Sequence, residues 1–552
     1  MTDEAQRPVT KSESSCSTGS PQEAAPPSGS PYIEGEWKVI INLLRDTNPI
    51  MLQRIGRKMM NYLFKRNVRK IGELMSRLAD HEMADFESGA VGENVPARKV
   101  NLTQLESVVD EVFRIAEEEL TSDQLTSMIR IWLRDETTRF LFVTAEKRDV
   151  SLSQISEAVE RFVMLPENQR NLSPEDSVAL RVALIRRFLS EDLFYINTMK
   201  KLVTVLKFGD LLESTIGPPS GNGKLGGKAA GLLRAEMILK AAQKDNIILR
   251  NLTVPKTWFI TSDAILEFIH HNALEELLSI KYCDPNEIRQ EHVYLRQIFK
   301  NSALPSEIMT GLSMALDDLG EVPLVVRSSS LLEDSVGASF AGKYRSLFVA
   351  NIGTKEERLE ALADAVLEVY ASVFGPDPIE YRRERGLLDF NEEMGILIQE
   401  VVGRRVGDYF FPAYAGVAFS KNEFRWSPRI GRDDGIIRLV TGLGTRAVDR
   451  TGSDFPVLVS PGQPGLRVNV TPEETMRYAQ KSLDVINLAS RRFETVDLEP
   501  VIREHPSVYP SLAYIISLYT DGELTQPMGN YLDLDSGAPV VTFRKLLDKG
   551  PF

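Results

Sequence analysis

The chain has 552 residues, 43% of them hydrophobic and 26% charged, with a formal net charge of −13, which permits two or three globular domains that each bury a core. No apolar run approaches the roughly 18 residues of a membrane helix, and the opening MTDEAQRPVT lacks the apolar stretch of a signal peptide, so a cytoplasmic protein with no membrane partner is expected. The acidic balance argues against nucleic acid as the main partner, and two cysteines, Cys16 and Cys283, cannot make a disulfide framework or a zinc site.

Residues 1–33 are rich in Ser, Pro, Glu and Gly and predict a disordered tail. Residues 34–206 turn helical, as in EWKVIINLL and LESVVDEVFRIAEEEL. Within them the run from Arg54 to Arg77 is basic, with Met59, Met60, Leu63 and Phe64 interleaved at helical spacing. It reads as a solvated helix face, or as a patch for nucleic acid or an acidic partner. The clearest helix start is SPEDSVALRVALIRRFL, where Ser173 can cap, Pro174 suits the first turn and Asp176 completes a capping-box spacing. After Leu212, glycines, prolines and short β-branched runs such as VPLVVRSSS and MGILIQEVV alternate with helical segments. The expected fold is therefore multidomain, with an α-helical domain at 34–206 and an α+β domain at 207–552 joined near GPPSGNG.

Two glycine-and-lysine loops stand out in the α+β part. GNGKLGGKAAG, residues 221–231, fails the P-loop pattern G-x-x-x-x-G-K-[ST], because Ala229 follows the Gly227-Lys228 pair and Asn222 occupies the leading position. GASFAGKY, residues 337–344, has the glycine spacing, but Tyr344 stands where a small magnesium-binding hydroxyl is required. Between them, Arg327 with Ser328, Ser329 and Ser330 ends an apolar strand. Such a group offers convergent donors to a polyphosphate, or Arg327 pairs with Glu333 or Asp334 at a strand end.

The stretch VVRSSSLLEDSVGASFAGKYRSLFV resembles the signature of the nucleotide-binding domain of the phosphoenolpyruvate synthase and pyruvate phosphate dikinase family, V-R-S-S-A-x-x-E-D-x-x-x-A-S-F-A-G. GGKAAGLLRAEMI, VPKTWFITSDAILEFI (with Thr257 where glycine is usual), MGILIQEVV, YAGVAFS and VTGLGTRAV follow the family's order, and the likeness covers roughly residues 207–450. The resemblance implies an ATP-grasp-like fold of two lobes with ATP between them. It places phosphate on Gly226, Gly227 and Lys228 and on Arg327, Ser328 and Ser329, with Lys228 and Arg327 in the catalytic roles. It sets the adenine edge against Gln399, Glu400 and Val402, although Gln399 and Glu400 taken alone read as exposed strand ends. It makes magnesium a cofactor beside ATP, and the loop from Ser335 to Gly342 a cover over the phosphates. The reaction it implies is phosphoryl transfer from ATP to a histidine.

The departures are as informative. None of His81, His270, His271, His292 and His505 has the family's acceptor context, so the phosphohistidine would sit on another domain or chain. The barrel that binds pyruvate or phosphoenolpyruvate is missing too. The D-x-E-W strand and the hairpin ending Q-x-R-P that supply metal ligands are not found, the ending PVVTFRKLLDKGPF suggests a truncated or partial product, and Thr445 replaces the usual glutamate after G-L-G. Asp533 and Asp535 in YLDLDSG read as a turn or as a metal-binding pair. Three functions stay open: a phosphotransferase module, a non-catalytic adenine-nucleotide sensor, and a partner-binding helical protein with a degenerate ATP-grasp scaffold.

Overall fold

The computed structural model describes residues 35–77, 102–147, 149–167, 170, 172–332, 342–390, 392–448, 454–507, 509, 511–527 and 532–549. The 1–33 tail therefore lies outside the described residues, as do His81, Glu333, Asp334 and all but Gly342 of the 335–342 loop. The chain divides into two compact units, one ending at Glu136 and the other starting at Thr137.

In the first unit, α1 (Glu36–Thr47) buries Trp37, Ile41 and Leu44 at spacings of four and three, one stripe of a helix. The second helix, α2 (Pro49–Lys65), starts where the Asn48 side chain accepts the Met51 N–H at 3.1 Å and Pro49 fills the first turn. It buries Leu52, Ile55, Met59 and Leu63. A Cβ on Gly56 would stand 2.9 Å from Val109, so α2 crosses α3 (Leu102–Glu119) at a glycine-sized separation. The basic run meets acids here: Lys58 bonds the buried Asp135 at 2.8 Å, and Lys70 and Arg77 bond Glu118 and Glu111 of α3. Helix α4 (Ser122–Glu146) begins in this unit and ends in the next.

The second unit opens with α5 (Leu152–Met164), α6 (Pro174–Phe188), α7 (Leu193–Leu202) and α8 (Val205–Glu213). The α6 start follows its sequence signal, with Ser173 Oγ accepting the Asp176 N–H at 3.1 Å. A five-stranded sheet comes next, built from β1 (Thr215–Ile216), β2 (Thr257–Ile260), β3 (Leu324–Ser330), β4 (Ser346–Val349) and β5 (Met394–Glu400) in the order β1-β2-β5-β3-β4. The first pair is parallel and the other neighbours are antiparallel. Interleaved helices are α9 (Gly227–Ala242), α10 (Ala264–His271), α11 (Pro285–Asn301), α12 (Ser306–Leu319), α13 (Lys355–Ser372) and α14 (Pro376–Glu384).

Strand alternation gives this sheet two apolar faces. Trp258, Ile260, Leu324, Val326, Ile396 and Ile398 pack with α10 to α14, whereas Phe259 and Leu397 pack with α5 to α9. Helices α5 to α8 thus share a core with the glycine loop and the sheet, through Phe188, Phe208, Leu225 and Ala229. The contact division at Glu136 does not coincide with the textural change near residue 206, because α5 to α8 cover one face of a sheet that the sequence supplies only later.

The remainder is three smaller sheets. β6 (Arg404–Val406) and β7 (Tyr409–Phe411) join β11 (Ser482–Asn487) and β12 (Arg492–Asp497) in the order β12-β11-β7-β6. β8 (Ala415–Phe419), β9 (Ile436–Val440) and β10 (Val457–Val459) form the second, ordered β10-β9-β8. The third contains β13 (Ile516–Thr520), β14 (Glu523–Thr525) and β15 (Ala538–Val541), ordered β14-β13-β15. A helical first part followed by an α+β part is the layout expected from the sequence texture.

His292 of α11 gives the core a pH dependence. Its Nε2 is buried with no partner, and burial, with the Arg296 and Arg345 guanidiniums nearby, holds its pKa below the ordinary histidine value despite a hydrogen bond to the Ala371 backbone. The unfolded chain, titrating near 6.5, then takes up the proton first. Stability is complete above that pH and is lost as pH falls through the window below it. We expect the urea midpoint to drop between pH 7.5 and 5.5, and His292→Gln to remove most of that drop.

Candidate functional site

The glycine loop is hung on three strand and helix ends. Asn222 N–H donates to Asp263 Oδ2 at 2.5 Å, Ser262 N–H donates to Lys224 O at 2.7 Å, and Leu225 N–H donates to Phe188 O at 3.0 Å. The loop then meets the end of β3, where Ser328, Ser329 and Ser330 are fully buried. Ser329 Oγ donates to Leu225 O at 2.9 Å and accepts the Ala229 N–H at 3.1 Å, while Lys228 Nζ donates to Ser328 Oγ at 3.1 Å. One hydroxyl therefore ties the last loop residue and the first turn of α9 to the strand.

Glycine is obligatory at this crossing. Gly226 has φ 83°, and a Cβ there would stand 1.8 Å from Ser329 O. Gly395, opposite Ser329 in β5, would put a Cβ 2.6 Å from Leu225 O. A glycine inside the apolar run MGILIQE is itself a sign of such close backbone approach.

The structure brings Gly226, Gly227, Lys228, Arg327, Ser328 and Ser329 together at this end of the sheet. Arg327 is half-buried, opposite Leu397 of β5 and Ser346 of β4. Among the described residues its side chain makes no hydrogen bond or ion pair, and the alternative partners Glu333 and Asp334 lie outside them. Aligned amides of α9 and the Lys228 ammonium give the locality positive potential.

Just behind it lies a buried ionic cluster that the sequence reading did not identify. Glu392 faces Arg382 at 2.8 Å and accepts hydrogen bonds from the Ser330 and Tyr344 hydroxyls. Tyr344 is thus a buried structural donor, and no magnesium ligand stands at that position of the second glycine loop.

Gln399, Glu400 and Val402 sit at the opposite end of β5. Gln399 is buried and donates from Nε2 to Thr257 Oγ1 at 2.8 Å, while Glu400 Oε1 accepts the Lys256 N–H at 2.9 Å. Both side chains are therefore engaged within the sheet edge. Val402 is 64% exposed, and no hydrogen bond involves its main chain among the described residues. The next turn, Val401, is fixed by its N–H to Pro323 O at 2.8 Å. This end presents backbone groups, whereas the other end brings Lys228 and Arg327 beside buried hydroxyls.

In the later sheets the G-L-G turn is held from beneath. Gly442 has φ 81°, and Leu443 N–H donates to Asp484 O at 3.0 Å. The Asp484 carboxylate accepts from Thr445 Oγ1 at 2.6 Å, Thr495 Oγ1 at 2.8 Å and Arg446 Nε at 3.0 Å. Arg446 also reaches Asp454 at 2.6 Å, and Asp454 takes the Lys481 and Ser482 N–H groups.

Magnesium is the expected second cofactor. Among the described residues no group of three or more His, Cys, Asp or Glu side chains could hold a metal. Asp533 and Asp535 form a turn, with Asp535 N–H on Asp533 Oδ1 at 3.2 Å and Ser536 Oγ on Asp533 O at 2.8 Å. A β13–β14 hairpin does precede them, running into Gln526 and Pro527, but β13 carries Ser517 and Tyr519 and no acid. The absence of marker residues is why the sequence did not announce this hairpin. His270 pairs with Glu275 at an exposed helix end. A cavity of about 530 Å³ lined by Phe348, Asn351, Glu357, Arg491 and Phe493 includes none of the expected site residues.

A glycine loop seated on a strand end, a lysine and an arginine beside it, and free backbone groups at the far end of the next strand define a nucleotide-binding domain. The model of the pyruvate phosphate dikinase AMP/ATP-binding domain matches residues 222–500, about half of the chain, and the chain belongs to that family. Relatives include a rifampicin phosphotransferase of Streptomyces sviceus, 26% identical over 178 residues, which are 31% of this chain and 19% of the relative. A probable phosphoenolpyruvate synthase of Methanocaldococcus jannaschii is 26% identical over 220 residues, 38% of this chain and 17% of the relative. The phosphoenolpyruvate synthase of Neisseria meningitidis is 28% identical over 174 residues, 30% of this chain and 20% of the relative. The matches thus span about a fifth of these curated relatives. Among the described residues no helix is long and apolar enough to cross a membrane.

The Gly226 crossing makes a direct prediction. Gly226→Ala must push the loop off Ser329, so it should lower unfolding stability by about 2 kcal/mol or more and abolish nucleotide binding. Urea denaturation and equilibrium dialysis of the same preparation check the two effects.

Proposed function

We propose that the chain is the ATP-handling module of a phosphotransferase, with a two-lobed, ATP-grasp-like arrangement of residues 207–552. The observation that carries this reading is the meeting of Lys228, Ser328 and Ser329 at the end of β3, beside Arg327. Lys228 and Arg327 take the phosphates, with Gly226 and Gly227 permitting close approach. The exposed main chain at Val402, next to Gln399 and Glu400, takes the adenine edge, because a planar base needs a backbone donor and acceptor against apolar walls. From Leu397, opposite Arg327, to Glu400 is about 10 Å at roughly 3.3 Å per residue, which suits one nucleotide laid along the strand.

On this proposal the acceptor histidine belongs to another domain or chain, since His270 and His292 are engaged elsewhere. Lys228 and Arg327 stabilise charge on the transferring group, which is the protein's main task in phosphoryl transfer. The helical domain at 34–206 and a cytoplasmic location belong to the same proposal. The second reading, an adenine-nucleotide sensor without turnover, is favoured by the engagement of Asp484 and Asp454 with Arg446, which leaves neither carboxylate for chemistry.

Calorimetric titration with ATP tests the site. Lys228→Ala and Arg327→Ala should each weaken binding by more than a factor of ten, since charge-assisted contacts contribute about 1.5 to 3 kcal/mol. Unchanged affinity in both variants would sink the assignment. Phosphohistidine on a separately supplied histidine domain would then select transfer over sensing.

A further inference from the structure

The cavity of about 530 Å³ beside β4, the outer strand of the five-stranded sheet, has a volume in the range of small-molecule sites, about 300 to 1,000 Å³. Its walls come from three places: β4 and the residues that follow it, the face of α13 that carries Glu357, Ala361 and Asp364, and the turn into β12 at Arg491 and Arg492. Phe348 of β4 stacks on Phe493 of β12, with ring centroids 5.6 Å apart and planes 13° from parallel, and both line the cavity. Phe493 nevertheless stays 41% exposed. The cavity therefore offers a ligand an aromatic wall.

The charges around it are unequally satisfied. Glu357 accepts the Thr354 N–H at 3.0 Å and faces Arg491 at 3.3 Å, Asp364 faces Lys300 at 3.5 Å, and Glu368 holds both Arg296 and Arg345. Arg358 is buried and donates to Asn351 and to the Leu316 and Gly320 carbonyls. Arg492 is the cation left over. Among the described residues its side chain makes no hydrogen bond or ion pair, and the Glu494 carboxylate that feels its charge bonds Ser490 and Asn487 instead. A guanidinium fork takes a planar carboxylate through two parallel hydrogen bonds, and the ring wall takes an apolar body. We propose that this cavity is a second ligand site, for a small aromatic carboxylate, with Arg492 holding the charge and Phe348 and Phe493 the ring. It stands on its own residues and does not depend on the nucleotide reading. A ligand seated there touches β4 and β12 at once, and so ties the five-stranded sheet to the sheet of β11 and β12.

Calorimetric titration of the full chain with phenylacetate tests the site, beside Arg492→Ala and Lys228→Ala. Saturable binding in the millimolar range or tighter is expected. Arg492 is exposed, so its replacement leaves the fold intact, and it should weaken binding about tenfold or more, the loss of one charge-assisted contact. Lys228→Ala should leave phenylacetate affinity unchanged, and acetate at the same concentration should not displace the probe. No saturable binding, or equal affinity in Arg492→Ala, overturns the proposal. Loss of binding in Lys228→Ala puts the probe at the glycine loop and overturns it too, and displacement by acetate overturns it in favour of a bare anion contact.

Discussion

The seating of the glycine loop on the end of β3 is the contact on which the rest of the second unit depends. Ser329 Oγ satisfies one carbonyl and one amide of the loop at once, in a fully buried position where either group left unpaired would cost about 1 to 3 kcal/mol. The approach this requires is possible only because Gly226 and Gly395 have no Cβ. Once the loop is fixed, the direction of α9 is fixed, and Lys228 projects from its first turn toward Ser328. Ala229 and Leu233, one helical turn apart, then pack with Phe188 and Phe208 in the core of α5 to α8. A single hydroxyl thus connects the placement of a cation to the burial of a hydrophobic layer.

The candidate site is legible as a set of short contiguous motifs. Lys228 between small residues, Arg327 before three serines, and the apolar run into Gln399 and Glu400 are each contiguous, and strand pairing does the rest: β3 and β5 are adjacent and antiparallel, so their functional ends are set by register. The helix start at Ser173 was legible for the same reason, since a cap acts over three residues. What was not legible depends on distant partners. Neither Glu392 nor Asp484 is marked by its neighbours; the first meets Arg382, Tyr344 and Ser330, the second Thr445, Arg446 and Thr495, across up to 62 residues. The division of the chain was obscured likewise. Helices α5 to α8 have ordinary amphipathic patterns, and nothing in them says that the surface they cover is a sheet strand at Leu397 and Phe259.

The ionic interior explains how this member of the family departs from the pattern its motifs set up. A buried carboxylate is tolerated when an opposite charge and hydrogen-bond donors satisfy it, and breaking such a set strands a charge at a cost of about 3 to 5 kcal/mol. Arg446 lies between Asp454 and Asp484, each side chain at most 10% exposed, and the excess negative charge is spread over two amides and two hydroxyls. That arrangement is self-sufficient. It holds the G-L-G turn, the start of β11 and the facing residue of β12 together, and the same satisfaction makes it a poor source of ligands, because recruiting Asp484 to a cation would leave Arg446 underpaired.

Structure and ligand chemistry are therefore separated in space. Among the described residues Asp454 and Asp484 are engaged in holding elements together, whereas Lys228 and Arg327 stand where the glycine loop meets β3. On the proposed reading the strand end at Lys228 and Arg327 meets polyphosphate charge, while Asp454 and Asp484 serve the fold.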